Sequence, residues 1–263
     1  MIIDVVKKMT IKELIQFDGS VLSLTKAGRD YALRIVRVHR LWEKFLPEKT
    51  GYDKTEWHDR AEFMEHQLSH EETNKLAIQL GNPLYDPHGD PIPTNQGQIA
   101  NVNGVSLSSL AVNSIGRITH IEDEPDVIYK QILAENIHIG SQLRVVENNA
   151  KRIVFYAEGE DFVLAPIVAA NITVNLLEKD VIEEENTSRL SSLKEKETAK
   201  IAGISKEIRG ESRRRLLDLG FVKDSPIKID LMSPLGNPKA YLVKGTSIAL
   251  RNDQASKILI KKL

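Results

Sequence analysis

A four-residue signature occurs twice in this chain, and it constrains the fold more than any other feature. Leu107-Ser108-Ser109-Leu110 returns as Leu190-Ser191-Ser192-Leu193. Ile118 and Ile121 recur at the same offset as Ile201 and Ile204; after a one-residue slip, Ile132-Leu133 matches Leu216-Leu217 and Leu143-Val145 matches Ile227-Ile229. A sequence that repeats itself over about 80 residues folds the same unit twice. In the first copy, short alternating stretches read as strands over 116–121, 142–146, 152–156, 162–165 and 172–176. A short helix is expected at 126–135. Strands of this length, separated by turns, point to a small β-barrel. We therefore expect two tandem barrels, 105–178 and 190–263, joined by an acidic, polar linker at 178–188. The run from Arg209 to Arg215 carries four basic residues. It reads as a solvated helix face, with contact to a phosphate or other polyanion as the alternative.

Composition narrows the function classes. Lys and Arg total 36 against 37 Asp and Glu, so there is no overall basic footprint of a nucleic-acid binder. Cysteine is absent. Disulfides, thiolate zinc sites and thiol catalysis are excluded, and any metal must be held by nitrogen and oxygen. No run of 18 apolar residues exists, so no membrane span is expected, and the N-terminus lacks the layout of a signal peptide. A cytoplasmic location is the default expectation.

The first hundred residues are of another kind. Residues 2–16 are periodic and predict a short amphipathic helix. Phe17-Asp18-Gly19-Ser20 is turn chemistry, with a brief strand from Val21 to Leu24 after it. On pattern alone this is a generic hairpin; the same order also fits the back half of a winged-helix module. Thr25 is placed to cap a helix from about Lys26 to Leu46, expected to end at Pro47, with 47–53 as a turn. A second helix is expected over 54–68, and a third from Ser69 to about Leu80, where Ser69 and Glu72 stand at capping-box spacing. Asp86-Pro87-His88-Gly89-Asp90-Pro91-Ile92-Pro93 is rigid turn, and His88 reads as a loop residue rather than a ligand. Residues 94–104, rich in Asn, Gln and Gly, predict a domain boundary.

The second helix carries the chemistry. At ~100° per residue, His58, Glu62, Glu65 and His66 share one arc of the helix. Trp57, Ala61, Met64 and Leu68 form the packing stripe beside it. His39 and Glu43 repeat the His/Glu spacing one helix earlier. Two imidazole–carboxylate stripes on successive helices offer six hard donors, a set that suits first-row divalent cations. The bland alternative is a pair of solvated helix faces. Enzyme chemistry is not expected: there is no His-Glu-x-x-His, no P-loop and no dinucleotide fingerprint.

Taken together, Leu24-Thr25-Lys26-Ala27-Gly28-Arg29, Val38-His39-Arg40-Leu41-Trp42-Glu43-Lys44-Phe45-Leu46, the His58, Glu62, Glu65, His66 spacing and Asp86-Pro87-His88-Gly89 resemble the diphtheria-toxin-repressor/manganese-repressor family. Arg213-Arg214-Arg215-Leu216-Leu217-Asp218-Leu219-Gly220 and Ser233-Pro234-Leu235-Gly236 resemble the FeoA-type SH3-like domain, and 105–178 is a weaker match to it. The resemblance implies an α+β multidomain chain. Its parts would be a winged-helix remnant (1–25), a helical metal-binding and dimerisation domain (26–93) and two SH3-like barrels. It also implies a homodimer, Mn(II) or Fe(II) as ligand, and a role in metal homeostasis. By position, Glu62, Glu65 and His66 match one metal site, with His39 shared or adjacent. His39, Glu43 and His58 match a second. Glu62 stands where iron-responsive members have Cys and manganese-responsive members have Glu. Pro125 and Ile128 stand where some members donate a carboxylate and an amide to the second site, with Glu122, Asp123, Glu124 and Asp126 close by.

The likeness also implies that the chain starts partway through a recognition helix. DNA is then a partner only where the missing helix-turn-helix is supplied. Two functions follow as expectations. One is a metal-sensing regulator of the repressor type. The other is a cytosolic accessory or regulatory part of a metal-uptake transporter, because His39-Arg40-Leu41-Trp42-Glu43 looks closer to permease-fused versions of the helical domain.

Overall fold

The computed structural model describes residues 2–18, 21–50, 52, 54–178 and 187–263. The chain forms two units, 1–102 and 103–263.

The first unit opens with α1 (Ile2–Ile11), then an antiparallel hairpin of β1 (Ile15–Asp18) and β2 (Val21–Leu24), in which Asp18 pairs with Val21. The helix expected over 2–16 stops at Ile11, because Glu13 takes a positive φ of 55° and turns the chain into β1. The expected turn residues Gly19 and Ser20 lie outside the described residues. The long helix α2 (Lys26–Lys49) starts where Thr25 accepts the N–H of Gly28 at 3.0 Å. It does not end at Pro47. It runs one more half-turn to Lys49, with Thr50 donating its N–H and its hydroxyl to Leu46 O. A proline this close to the C-terminus forfeits one ladder bond without having to bend a long segment.

After a short 3-10 turn at 54–56, the ligand-bearing helix α3 covers only Trp57–Glu65, with His66 as its C-cap; it is shorter than the expected 54–68. α4 (His70–Gln79) carries the capping box of Ser69 and Glu72 and ends at Leu80. The core of this unit is small. Leu41, Leu76, Ala77 and Ile92 are buried together, and Trp42, Phe45, Leu68 and Leu80 pack against them. Trp57 and Ala61 bury the other edge of α3 against α2.

The second unit consists of the two copies. The first holds β3 (Val105–Ser106), β4 (Ile115–Ile121), α5 (Asp126–Ala134), β5 (Gln142–Asn148), β6 (Ile153–Ala157), β7 (Glu160–Leu164), α6 (Pro166–Ala169) and β8 (Ile172–Leu176). The second holds β9 (Ser188–Arg189), β10 (Thr198–Ile204), α7 (Gly210–Asp218), β11 (Pro226–Met232), β12 (Lys239–Val243), β13 (Thr246–Leu250), α8 (Asn252–Ala255) and β14 (Ile258–Lys262). Their six-stranded sheets have the same order, β3-β8-β4-β5-β6-β7 and β9-β14-β10-β11-β12-β13, of SH3-like type. Even the irregularities repeat. The register shifts between Ile118 and His120 and again between Ile201 and Gly203; it shifts between Val145 and Glu147 and again between Ile229 and Leu231.

The pairs matched by sequence are core pairs: Leu107 and Leu190, Ile118 and Ile201, Ile132 and Leu216, Leu143 and Ile227 are all buried. Most of the expected linker, 179–186, lies outside the described residues. Its last residue, Ser188, already belongs to β9.

Glu158 joins the copies. It sits at a positive φ of 47° in the β6–β7 turn, with its side chain buried. Its Oε1 accepts the Ser141 hydroxyl at 2.7 Å and the Lys206 N–H at 3.1 Å. Its Oε2 accepts the Ser205 hydroxyl at 2.6 Å, and Arg189 Nη1 lies 3.4 Å away. Burial pushes this carboxyl up, but the Ser205 and Ser141 hydroxyls, the Lys206 amide and Arg189 outweigh it and hold it below the usual carboxylate range.

Candidate metal centre

The centre is built where α2, α3 and the 86–90 loop meet. α2 places His39 and Glu43 one turn apart, and α3 brings His58 to them. Glu43 is buried at 2% exposure. Its Oε1 lies 3.1 Å from His39 Nε2 and 3.7 Å from His58 Nδ1, and the two imidazoles meet edge to face at 4.9 Å between centroids. Glu65 reaches back from the end of α3, its Oε2 2.7 Å from His39 Nδ1. Each ring nitrogen of His39 thus lies within hydrogen-bond reach of a carboxylate: the imidazolium donates to both, and the neutral ring donates to one and leaves the other nitrogen for a cation. A ring lone pair and a carboxylate oxygen at 3.1 Å repel each other unless a proton or a cation lies between them.

The loop brings a second group to the same carboxylate. Glu43 Oε2 lies 3.6 Å from His88 Nδ1, which is 4.0 Å from Asp86 Oδ2. Asp86 Oδ1 accepts the backbone N–H groups of His88 and Asp90, at 2.8 and 2.9 Å, and so folds the loop around itself. Asp86 Oδ2 is buried without a hydrogen-bond partner. Arg40 holds the loop to α2 through Asp90 at 2.9 Å and Pro91 O at 2.7 Å. In each of two sets, His39, Glu43, His58 and Glu43, Asp86, His88, the donor atoms lie within 4.8 Å of one another.

The electrostatics agree with this geometry. Burial pushes the Glu43 carboxyl up, and hydrogen bonds from His39, His58 and His88 outweigh it, holding it far below the usual range. Burial pulls His39 down, and the bonds to Glu43 and Glu65 more than restore it, leaving it raised. Asp86 is pushed up to about 7 by burial, helped by the charges of Asp90 and Glu43 and opposed by His88. The donors are all imidazole nitrogen and carboxylate oxygen, converging and largely dry, as a Mn(II)- or Fe(II)-sized cation requires.

Not every residue read from the sequence converges. His39, Glu43 and His58 come together, and Glu65 joins through His39. His66 lies 3.3 Å from Glu65 Oε1, with its side chain 61% exposed. Glu62 is exposed, and among the described residues its carboxylate has no hydrogen bond or ion pair. His88, read as a plain loop residue, is on a loop, yet its ring is buried against Glu43 and 6.2 Å from the Trp57 ring. Asp86 was missed with it. The available signal was the Asp-x-His-Gly-Asp turn, whose first carboxylate folds the loop inward.

Comparison with known proteins bears on the same segments. The family model for the iron-dependent repressor metal-binding and dimerisation domain matches residues 25–94, and the FeoA domain model matches 188–262. A probable metal transport system membrane protein of Chlamydia trachomatis is 45% identical over 71 residues. That is 27% of this chain but 16% of the relative, so the match spans about a sixth of the chlamydial protein. The diphtheria toxin repressor of Corynebacterium diphtheriae is 28% identical over 169 residues, 59% of this chain and 73% of the repressor. Among solved structures, a manganese-dependent transcriptional repressor in complex with manganese superposes with a TM-score of 0.60 at 32% identity, over 66% of this chain and 82% of the repressor. The chain belongs to the family of iron- and manganese-dependent repressors.

Proposed function

We propose that this chain is a metal-sensing regulatory protein of metal homeostasis that binds Mn(II) or Fe(II) through His39, Glu43 and His58, with Glu65 orienting His39. Glu43, Asp86 and His88 form an adjoining cation site, so that the Glu43 carboxylate serves two cations, one on each oxygen. The observation that carries this reading is the surround of Glu43: a buried carboxylate faced by three imidazoles, those of His39, His58 and His88. Metal bound there ties α2, α3 and the 86–90 loop into one body and fixes the angle between the two helices. The matched domain is a dimerisation domain in its family, and a homodimer made through the helical unit is part of this proposal. His66 already lies beside Glu65, and the exposed Glu62 would complete a further site only after turning toward that pair. Among the described residues no helix is long and apolar enough to cross a membrane.

Equilibrium dialysis with Mn(II) tests the proposal. Wild type should bind saturably, and Glu43→Gln, its fold checked by circular dichroism, should lose at least ~10-fold in affinity. Wild-type affinity in Glu43→Gln overturns the assignment.

A second reading rests on one observation. A stretch of 71 residues is 45% identical to the chlamydial transport protein, against 28% over 169 residues for the diphtheria toxin repressor. On that reading the same centre regulates metal uptake through protein contacts without DNA. Metal-dependent retardation of promoter DNA by the full protein favours the repressor, and its absence beside intact metal binding favours the transporter role.

A further inference from the structure

Unit 1 contains a cavity of about 330 Å3 between α2, α4 and the turn at 94–97. That is the low end of the ~300–1,000 Å3 range of small-molecule sites. Asp30, Arg34 and Arg37 line it from α2, His70 from α4, and Thr94 and Asn95 from the turn.

The two guanidiniums lie three residues apart and so share a helix face. Arg37 donates from Nη1 to Pro93 O at 2.6 Å, while its Nε is buried with no hydrogen-bond partner. Arg34 lies 5.3 Å over the Tyr31 ring. Asp30 is spaced to reach both arginines, yet among the described residues it pairs with neither. Partial burial pulls the Arg37 guanidinium down from its ordinary value. Arginine does not answer by losing its proton, so the charge stays. With Nη1 committed to Pro93 and Nε closed off by the surrounding protein, Nη2 is the donor of this guanidinium left to meet a ligand, as a charge-assisted N–H.

We propose that this cavity binds a small oxyanion, a phosphate- or carboxylate-bearing metabolite, through Nη2 of Arg37 with Arg34 as the second cation. Thr94 fits the role of neutral contact. Its Oγ1 accepts the N–H groups of Gln96 and Gln98, at 3.3 and 3.1 Å, which directs its own proton outward. The site does not depend on the metal reading, since none of its residues belongs to the metal centre.

The test is calorimetric titration of the full chain, in chelator and at fixed chloride, with inorganic phosphate and separately with citrate. Saturable binding of either probe is expected, and the probe that saturates identifies the anion class. Arg34→Gln, which leaves the Arg37–Pro93 bond intact, and Arg37→Gln should each weaken binding by ~10-fold or more, as loss of a charge-assisted bond does. Asp30→Asn should tighten it, a change of sign that a merely structural role would not produce. Absence of saturable binding of both probes up to about 20 mM, or wild-type affinity in Arg34→Gln, overturns the proposal.

Discussion

His88 Nδ1 stands 3.6 Å from Glu43 Oε2, while the histidines of the helices face the other oxygen of the same carboxylate. Glu43 therefore belongs to two donor sets, one made by the helices and one completed by the loop. Wild type is expected to bind two Mn(II) ions per chain. His88→Ala should bind one, and Glu43→Gln should weaken both. Free Mn(II) measured by electron paramagnetic resonance reads the stoichiometry directly; an unchanged count in His88→Ala would show that the loop holds no cation.

Asp86→Asn should have opposite effects on stability and on metal. The folded protein holds this carboxyl at about 7, above its unfolded value, so it favours the protonated form. Ionising it destabilises the fold increasingly from about pH 4 and fully above pH 7. The amide keeps the oxygen that accepts the His88 and Asp90 N–H groups. In chelator, Asp86→Asn should therefore be more stable than wild type at pH 8, by up to about 4 kcal/mol, with the advantage shrinking as pH falls toward 4. Urea denaturation at several pH values checks this, and Mn(II) affinity at pH 8 should fall in the same variant.

Glu158→Gln should loosen the junction of the barrels. The carboxylate accepts two hydroxyls and an amide in a buried place, and losing its charge there is expected to destabilise unit 2 by about 2–4 kcal/mol. Its folded value lies below the unfolded one. The stabilisation is thus present above the ordinary carboxylate range and lost as pH falls through the lowered value. Thermal denaturation from neutral to acid pH should show the wild-type curve approaching that of Glu158→Gln as the medium is acidified.

Gly28→Ala should damage the junction of the hairpin with α2. A methyl at this position would lie 1.8 Å from Leu14 O, and that carbonyl already accepts the Thr25 N–H at 3.1 Å. Backbone, not a mobile side chain, must give way, so a loss of roughly 2–4 kcal/mol is expected by chemical denaturation. Gly203→Ala, with open space around it, is the control.

The sequence made visible whatever is periodic or chemically local. The duplication was readable because equivalent core positions such as Ile118 and Ile201 keep their character. The capping box at Ser69 was readable because both partners lie within four residues. His39 with Glu43, and His58 on the next helix, were readable as two stripes from helical spacing, while their grouping into one set came from the family resemblance. The failures are tertiary. Pro47 suggested a helix end, but so near the terminus its missing donor matters little. Glu62 has the right spacing, yet its side chain is exposed. Asp86 and His88 come to Glu43 only through a loop pinned by Arg40, and no periodicity reports that approach.

The twin register shifts, after Ile118 and Ile201 in one strand and after Val145 and Ile229 in the next, have a consequence for how the copies can diverge. Each supplies a crease that lets a narrow ribbon wrap round its own interior. Outer side chains are free to drift toward new partners, while the creases stay put, because moving one would turn every later inward residue outward. The pair is thus a natural chassis for two different cargoes, and whichever surface differs between the copies is the place to look for what each one carries.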